Sequence, residues 1–197
     1  MSVAGSTEPR ATPLVRAAAR GELPAWAEAG EKRRAHMARV AALMNEWALA
    51  LHLSDDDVAR WTAAGWLHDV LRDADPEALR PQVPEAFREL NGKVLHGPAA
   101  AERLAGQADD ELVEAVRCHT LGSPRFGTLG RALYLADFLE PGRKFETEWT
   151  EELRRRMPGD LEGVLREVVE ARVGHVTRQG VTVHPETKAF YESVAGA

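Results

Sequence analysis

The sequence predicts an all-α fold. Apolar residues recur at three- and four-residue steps, first in Met37, Val40, Ala41, Met44, Trp47, Ala48 and Leu51, and again in Leu161, Val164, Leu165, Val168, Val169 and Val173. That is the repeat of a helix burying one face. Helix-start signals precede several such stretches, and no run alternates β-branched and polar residues as a half-buried strand would.

Residues 1–22 are rich in Ala, Arg, Ser, Thr and Pro without a sustained apolar period, so a flexible or loosely docked tail is expected there. The first helix has Pro24 near its start, where a missing N–H does no harm. His36 lies beside Met37 and one turn before Val40, at the border of the buried stripe. Ser54 followed by Asp55, Asp56 and Asp57 supplies an N-cap oxygen and then negative charge in a first turn. That helix runs through Val58, Trp61, Gly65 and Trp66 to the pair His68-Asp69. Pro76, Pro81 and Pro84 divide the next segment into short helical pieces, and Asn91-Gly92 turns the chain ahead of Val94-Leu95-His96-Gly97-Pro98. Ala99, Ala100 and Leu104 then suggest another helix.

Asp109 and Asp110 open a helix with Leu112, Val116 and His119 on one face. Gly122, Pro124 and Gly127 form a loop. Leu129, Leu133 and Asp137 follow at four-residue steps until Pro141-Gly142 ends the element. Arg154-Arg155-Arg156, set among Glu151, Glu152 and Asp160, reads as a solvated helix face. After the long helix containing Val168, Pro185 begins a short terminal one.

A chain of 197 residues fits one domain with appendages, and its hydrophobic and charged fractions, 44% and 28%, are those of an ordinary globular protein. The formal charge of −6 argues against a nucleic-acid binder, yet a phosphorylated small molecule stays compatible because bound metal ions reverse a local potential. The single cysteine, Cys118, excludes an intramolecular disulfide and suits a reducing compartment. With no long apolar run and no signal-peptide pattern, neither a membrane association nor export is expected, and the expected location is the cytoplasm.

His36, His68, Asp69, His96, His119 and Asp137 carry metal-type side chains within apolar, helical stretches. Neighbours on a helix point in different directions, so His68 and Asp69 can meet at one site only where their helix bends or ends. A carboxylate facing a core, as at Asp137, is costly unless paired, hydrogen-bonded or bound to metal. Any one buried histidine is more readily a hydrogen-bonded core residue; the ordered set points to one or two borderline divalent ions. His52, His175 and His184 lack such partners and are assigned structural or surface roles. Cys118, adjacent to His119 but diverging from it on a helix, is assigned as a buried structural thiol.

His36, His68-Asp69 and Asp137 resemble the ordered H…HD…D signature of the HD superfamily of metal-dependent phosphohydrolases. Arg33-Arg34-Ala35-His36, Trp66-Leu67-His68-Asp69, Leu95-His96-Gly97-Pro98, His119-Thr120-Leu121-Gly122, the stretch 136–145 and Val183-His184-Pro185-Glu186-Thr187 are together similar to the YqeK family. This resemblance implies an HD-domain helical bundle over residues 23–197 that hydrolyses diadenosine tetraphosphate symmetrically to two ADP. It implies two iron ions, with manganese or cobalt as alternatives. His36, His68, Asp69 and Asp137 would hold one ion and His96 and His119 the second, with Asp69 bridging. The chain departs from the family pattern at Arg72, usually lysine; at Leu121, usually threonine; and at Phe190-Tyr191, often Arg-Asn.

The expected mechanism uses a hydroxide bridging two metals about 3.5–4 Å apart to attack a central phosphorus. Asp69 and Arg72 form the expected catalytic set. Arg33, Arg72, Arg125, Arg143 and Lys144 are the cationic candidates for the polyphosphate, and Thr120 a hydroxyl donor to it. Phe126 and Phe138 are assigned to core packing rather than adenine stacking. The long C-terminal amphipathic helix is a candidate homodimer surface. Two other readings stay open: an HD phosphohydrolase on a nucleoside monophosphate, (p)ppGpp or an NAD-related nucleotide, and a non-catalytic helical regulatory module.

Overall fold

The structure, a computed structural model, describes residues 10–143, 147–180 and 182–196. Among them are α1 (Pro13–Ala19), α2 (Glu31–Ala50), α3 (Asp55–Leu67), α4 (Pro76–Leu79), α5 (His96–Leu104), α6 (Asp110–Cys118), α7 (Thr128–Leu139), α8 (Glu148–Arg156), α9 (Leu161–Arg178) and α10 (Pro185–Ala195). No strand occurs among the described residues, as the periodicity predicts. None of their helices is long and apolar enough to cross a membrane.

The expected caps form. Ser54 accepts from the Asp57 N–H at the start of α3, and Asp109 accepts from the Leu112 N–H at the start of α6. α8 begins on a capping box between Thr147 and Thr150. α5 starts at His96, earlier than Ala99, because Pro98 in the first turn forfeits no helical hydrogen bond.

Two boundaries differ from expectation. Residues 10–22 are not a tail: α1 packs on α3 with Val15 and Ala18 fully buried, and Arg10 and Arg16 reach Asp57 and Asp56. A seven-residue helix is too short to show a period, so composition misses it; residues 1–9 lie outside the described residues. Pro24 is not near a helix start either. The chain ahead of α2 lies extended against the segment that follows His68-Asp69: Glu28 N–H donates to the Val70 carbonyl, Asp73 N–H to the Glu28 carbonyl, and Gly30 N–H to Asp73.

α2 and α3 cross at close range. A Cβ on Gly65 would lie 2.5 Å from the Ala41 Cα, so only glycine permits this contact. α5 and α6 approach similarly at Gly97, where a Cβ would lie 2.9 Å from the Val116 carbonyl oxygen. Trp47, Met37, Met44, Leu67, Leu95, Leu112 and Leu129 fill the space between these pairs and α7. Buried Arg60 ties α3 to α6 through Asp109 and Glu111. The apolar stripe of α9, Val164, Leu165, Val168 and Val169, is buried within the chain, which packs α9 against α7, α8 and α10. It is therefore covered rather than left as an open dimer surface.

Candidate metal centre

The helix geometry delivers six side chains to one buried place. His36 comes from the second turn of α2, His68 and Asp69 from the point where α3 ends, His96 from the first residue of α5, His119 from the end of α6 and Asp137 from the last turn of α7. Ending the helix at Leu67 is what lets His68 and Asp69 face the same point.

Asp69 stands at the centre and uses its two oxygens differently. Its Oδ2 is 3.5 Å from both His36 Nε2 and His68 Nε2. Its Oδ1 is 3.0 Å from His96 Nε2 and 3.5 Å from His119 Nε2. Asp137 Oδ1 joins the first group, 3.1 Å from His36 Nε2 and 3.8 Å from His68 Nε2. Within each group, His36, His68, Asp69 and Asp69, His96, His119, the ligand-type atoms lie within 4.8 Å of one another.

The far side of each imidazole shows which nitrogen is free. His68 Nδ1 lies 2.8 Å from the Gly65 carbonyl and His119 Nδ1 2.8 Å from the Val116 carbonyl. Both donate to a carbonyl three residues back, one of those a helix C-terminus leaves without a partner. His36 Nδ1 lies 3.0 Å from Glu140 Oε1, and Glu140 also accepts from Arg39 Nε at 2.5 Å. With Nδ1 protonated in all three, each Nε2 presents a lone pair, yet His36 Nε2 and His68 Nε2 are 3.2 Å apart and His96 Nε2 and His119 Nε2 3.1 Å apart. His96 Nδ1 is buried without a partner. Lone pairs and carboxylate oxygens converging with so few protons need cations, and this nitrogen–oxygen set fits borderline divalent ions.

The electrostatics agree. Burial, the largest influence, would raise the Asp69 carboxyl, but His68, His119 and His96 outweigh it and hold it well below the usual range. Asp137 is likewise depressed against burial, by His36, Arg143 and His68. Burial pushes His96 down to about 4 despite Asp69, with His119 and Arg72 adding to the fall. In His68 the neighbouring carboxylates of Asp69 and Asp137 overcome burial and raise the pKa.

The other expected site residues divide. Arg33 Nη1 donates to Asp69 Oδ2 at 2.6 Å, and Arg143 pairs with Asp137 Oδ1 and the Asp137 carbonyl. Thr120 Oγ1 is 3.1 Å from His119 Nε2. The side chain of Arg72 is half-buried and makes no hydrogen bond or ion pair among the described residues. Arg125 is exposed and held by Glu114 at 2.8 Å. Lys144 lies outside the described residues.

Several residues near the centre escape sequence reasoning. Glu140 orients His36 from 104 residues away along the chain, and Arg39, a neighbour of His36 on α2, holds Glu140. Their signal was the position of Glu140 one turn beyond Asp137. A cavity of about 550 Å³ beside Asp137 is lined by Phe138, Arg143, Ala171, Arg172, His175, Val176 and Arg178. His175, assigned a surface or structural role, is one of its walls. Phe126 packs on Phe190 in the core, as expected, with ring centroids 5.4 Å apart. Buried Phe190 thus fills against Gly122 and Tyr134 at a position that departs from the family ending. Burial, with Glu114 and Glu186, pushes Cys118 up to about 12, in keeping with an inert thiol.

Comparison with known proteins points the same way. The model of a family described as HD domain matches residues 33–142, which include all six of these side chains. A protein of Staphylococcus aureus named symmetrical bis(5'-nucleosyl)-tetraphosphatase is 27% identical over 168 residues, covering 80% of this chain and 84% of its own. One of the same name from Halalkalibacterium halodurans is 25% identical over 139 residues, covering 66% and 73%. A crystal structure from Clostridium acetobutylicum, described as a predicted HD superfamily hydrolase involved in NAD metabolism, superposes with a TM-score of 0.73. It is 25% identical and covers 85% of this chain and 90% of its own.

Proposed function

The chain belongs to the HD domain family, as a YqeK-like metal-dependent phosphohydrolase, and we propose that its reaction is the symmetrical hydrolysis of diadenosine tetraphosphate to two ADP. The carrying observation is Asp69, whose two oxygens each face a separate histidine pair. His36, His68, Asp69 and Asp137 would hold one divalent ion, and Asp69, His96 and His119 the other. We assign iron to both, with manganese or cobalt able to replace it. When bound, such ions supply Lewis acidity toward phosphate oxygens and lower the pKa of water toward neutrality.

The chain's own residues do the remaining work. Asp69 orients the attacking water while its charge stays on the carboxylate, since its neighbours hold it ionised. Arg72, whose side chain makes no hydrogen bond or ion pair among the described residues, would donate to a phosphate as a fork. Arg33, Arg143 and Thr120 border the ligand-type atoms, where they would donate to substrate oxygens. The two guanidinium charges neutralise the two product phosphates that share the cleaved linkage, and the Thr120 hydroxyl donates a hydrogen bond to them. Water adds to one of the two central phosphorus atoms, the bond from that phosphorus to the bridging oxygen breaks, and one ADP leaves with that oxygen. The attacked half, now carrying the water oxygen, is the second ADP, and a proton is released to solvent. Lys144 and Arg125 belong to the same proposal as outer cations, and the cytoplasm is the proposed location.

The test is an assay of anaerobically purified protein on diadenosine tetraphosphate, with products resolved and metal content measured in the same sample. ADP as the sole product, with iron near two equivalents, is the expected result. AMP plus ATP, or an intact substrate beside cleavage of another nucleotide, would overturn the assignment. A metal-free, inactive protein unaffected by His68→Ala would instead identify a regulatory module.

A further inference from the structure

The cavity beside Asp137 has a chemistry the metal centre does not use. Its far wall is a single face of α9, since Ala171, His175 and Arg178 follow at steps of four and three, with Arg172 and Val176 beside them. Among the described residues that line it, Arg143, Arg172 and Arg178 face one carboxylate, Asp137, so this lining carries excess positive charge in a chain of net charge −6. Its volume of about 550 Å³ lies inside the roughly 300–1,000 Å³ of small-molecule sites.

The wall is also built. The Arg172 guanidinium carbon lies 4.6 Å over the Tyr134 ring and 5.8 Å over Phe138, and its Nη2 donates to the Thr120 carbonyl at 3.2 Å. That bond ties α9 to the residue next to His119. Arg178 folds back over Gly174, where a Cβ would stand 3.2 Å from its Nη1. His175 Nε2 is 2.9 Å from Gln179 Nε2.

We propose that this cavity holds one nucleoside-phosphate half of the substrate, with Arg172 and Arg178 gripping the phosphates beyond the scissile linkage and His175 and Phe138 lying against the nucleoside. This rests on the proposed dinucleotide reaction and adds a specificity wall: α9 rewards a long polyphosphate and gives little to a nucleoside monophosphate.

Calorimetric titration of ADP into the full-length, metal-loaded chain tests it without requiring turnover. The parent should bind ADP, and Arg178→Ala with His175→Ala together should weaken binding roughly tenfold or more. Arg178→Lys should recover part of the loss, because the charge returns without the fork. Arg20→Ala, the same charge change on exposed residue 20, should match the parent. Since Arg172 packs on Tyr134, Arg172→Lys is the safer variant there, with thermal unfolding recorded alongside. No ADP binding by the parent, or equal binding by the double variant, overturns the proposal. α9-dependent ADP binding by a protein that leaves diadenosine tetraphosphate intact would uphold the cavity and sink the reaction.

Discussion

His36 shows how much of a metal ligand lies outside the ligand itself. Its Nδ1 donates to Glu140, whose other oxygen accepts from Arg39, so ring orientation and tautomer are both set by a buried carboxylate that a part-exposed arginine holds. Burial alone would raise the Glu140 pKa, yet Arg39 and His36 hold it below the usual carboxylate range. Glu140→Gln keeps the shape but removes the charge and sets an amide N–H against either Arg39 or the imidazole. Metal affinity should fall about 10–100-fold with helicity unchanged. Competition titration against a chelating dye measures this, and parental affinity in the variant would remove Glu140 from the centre.

At the scale of elements, the site depends on two close helix crossings. In an isolated helix Gly65→Ala would stabilise by about 0.5–1 kcal/mol. Here the new Cβ would stand 2.5 Å from the Ala41 Cα and 2.7 Å from its nitrogen, atoms that no rotamer change can move. Overpacking of about 1–3 kcal/mol should therefore win. The helices would part where they hold His36 and His68 together, so metal affinity should fall along with the unfolding midpoint. Urea denaturation with metal titration on the same variant checks both; an unchanged or raised midpoint would show that α2 and α3 can slide apart at no cost. Much of this level was legible beforehand. Ser54 and Asp109 announced their helices through side chains that cap locally, and the period of α2 and α9 announced theirs. α1 was not legible, because seven residues of mixed composition take their helix from burial on α3 rather than from pattern.

For the whole molecule, the centre joins α2, α3, α5, α6 and α7, so cation binding and global stability are linked. Divalent metal at about a hundredfold above its dissociation constant should add about 2.7 kcal/mol. For a domain of this size that is a rise in Tm of roughly 5–10 °C. Scanning calorimetry with iron(II) under anaerobic conditions, then after chelation, should show the rise and its reversal. No shift would mean that the convergent lone pairs do not bind the ion tightly. The Arg60 pairs with Asp109 and Glu111 and the buried stripe Val164, Leu165, Val168 and Val169 of α9 should persist through chelation, since neither includes a ligand-type residue of the centre, leaving a folded apo state.

The sequence by itself determined the all-α class, most helix starts and the metal-type residues, because periodicity, caps and residue chemistry act locally. It also indicated that His68-Asp69 had to mark a helix end. Tertiary structure alone decided how Asp69 divides its oxygens between two histidine pairs, that Glu140 holds His36, and that α9 turns Arg172, His175 and Arg178 toward Asp137. These depend on contacts between residues as far apart as 104 positions, and no helical period encodes how such segments pack.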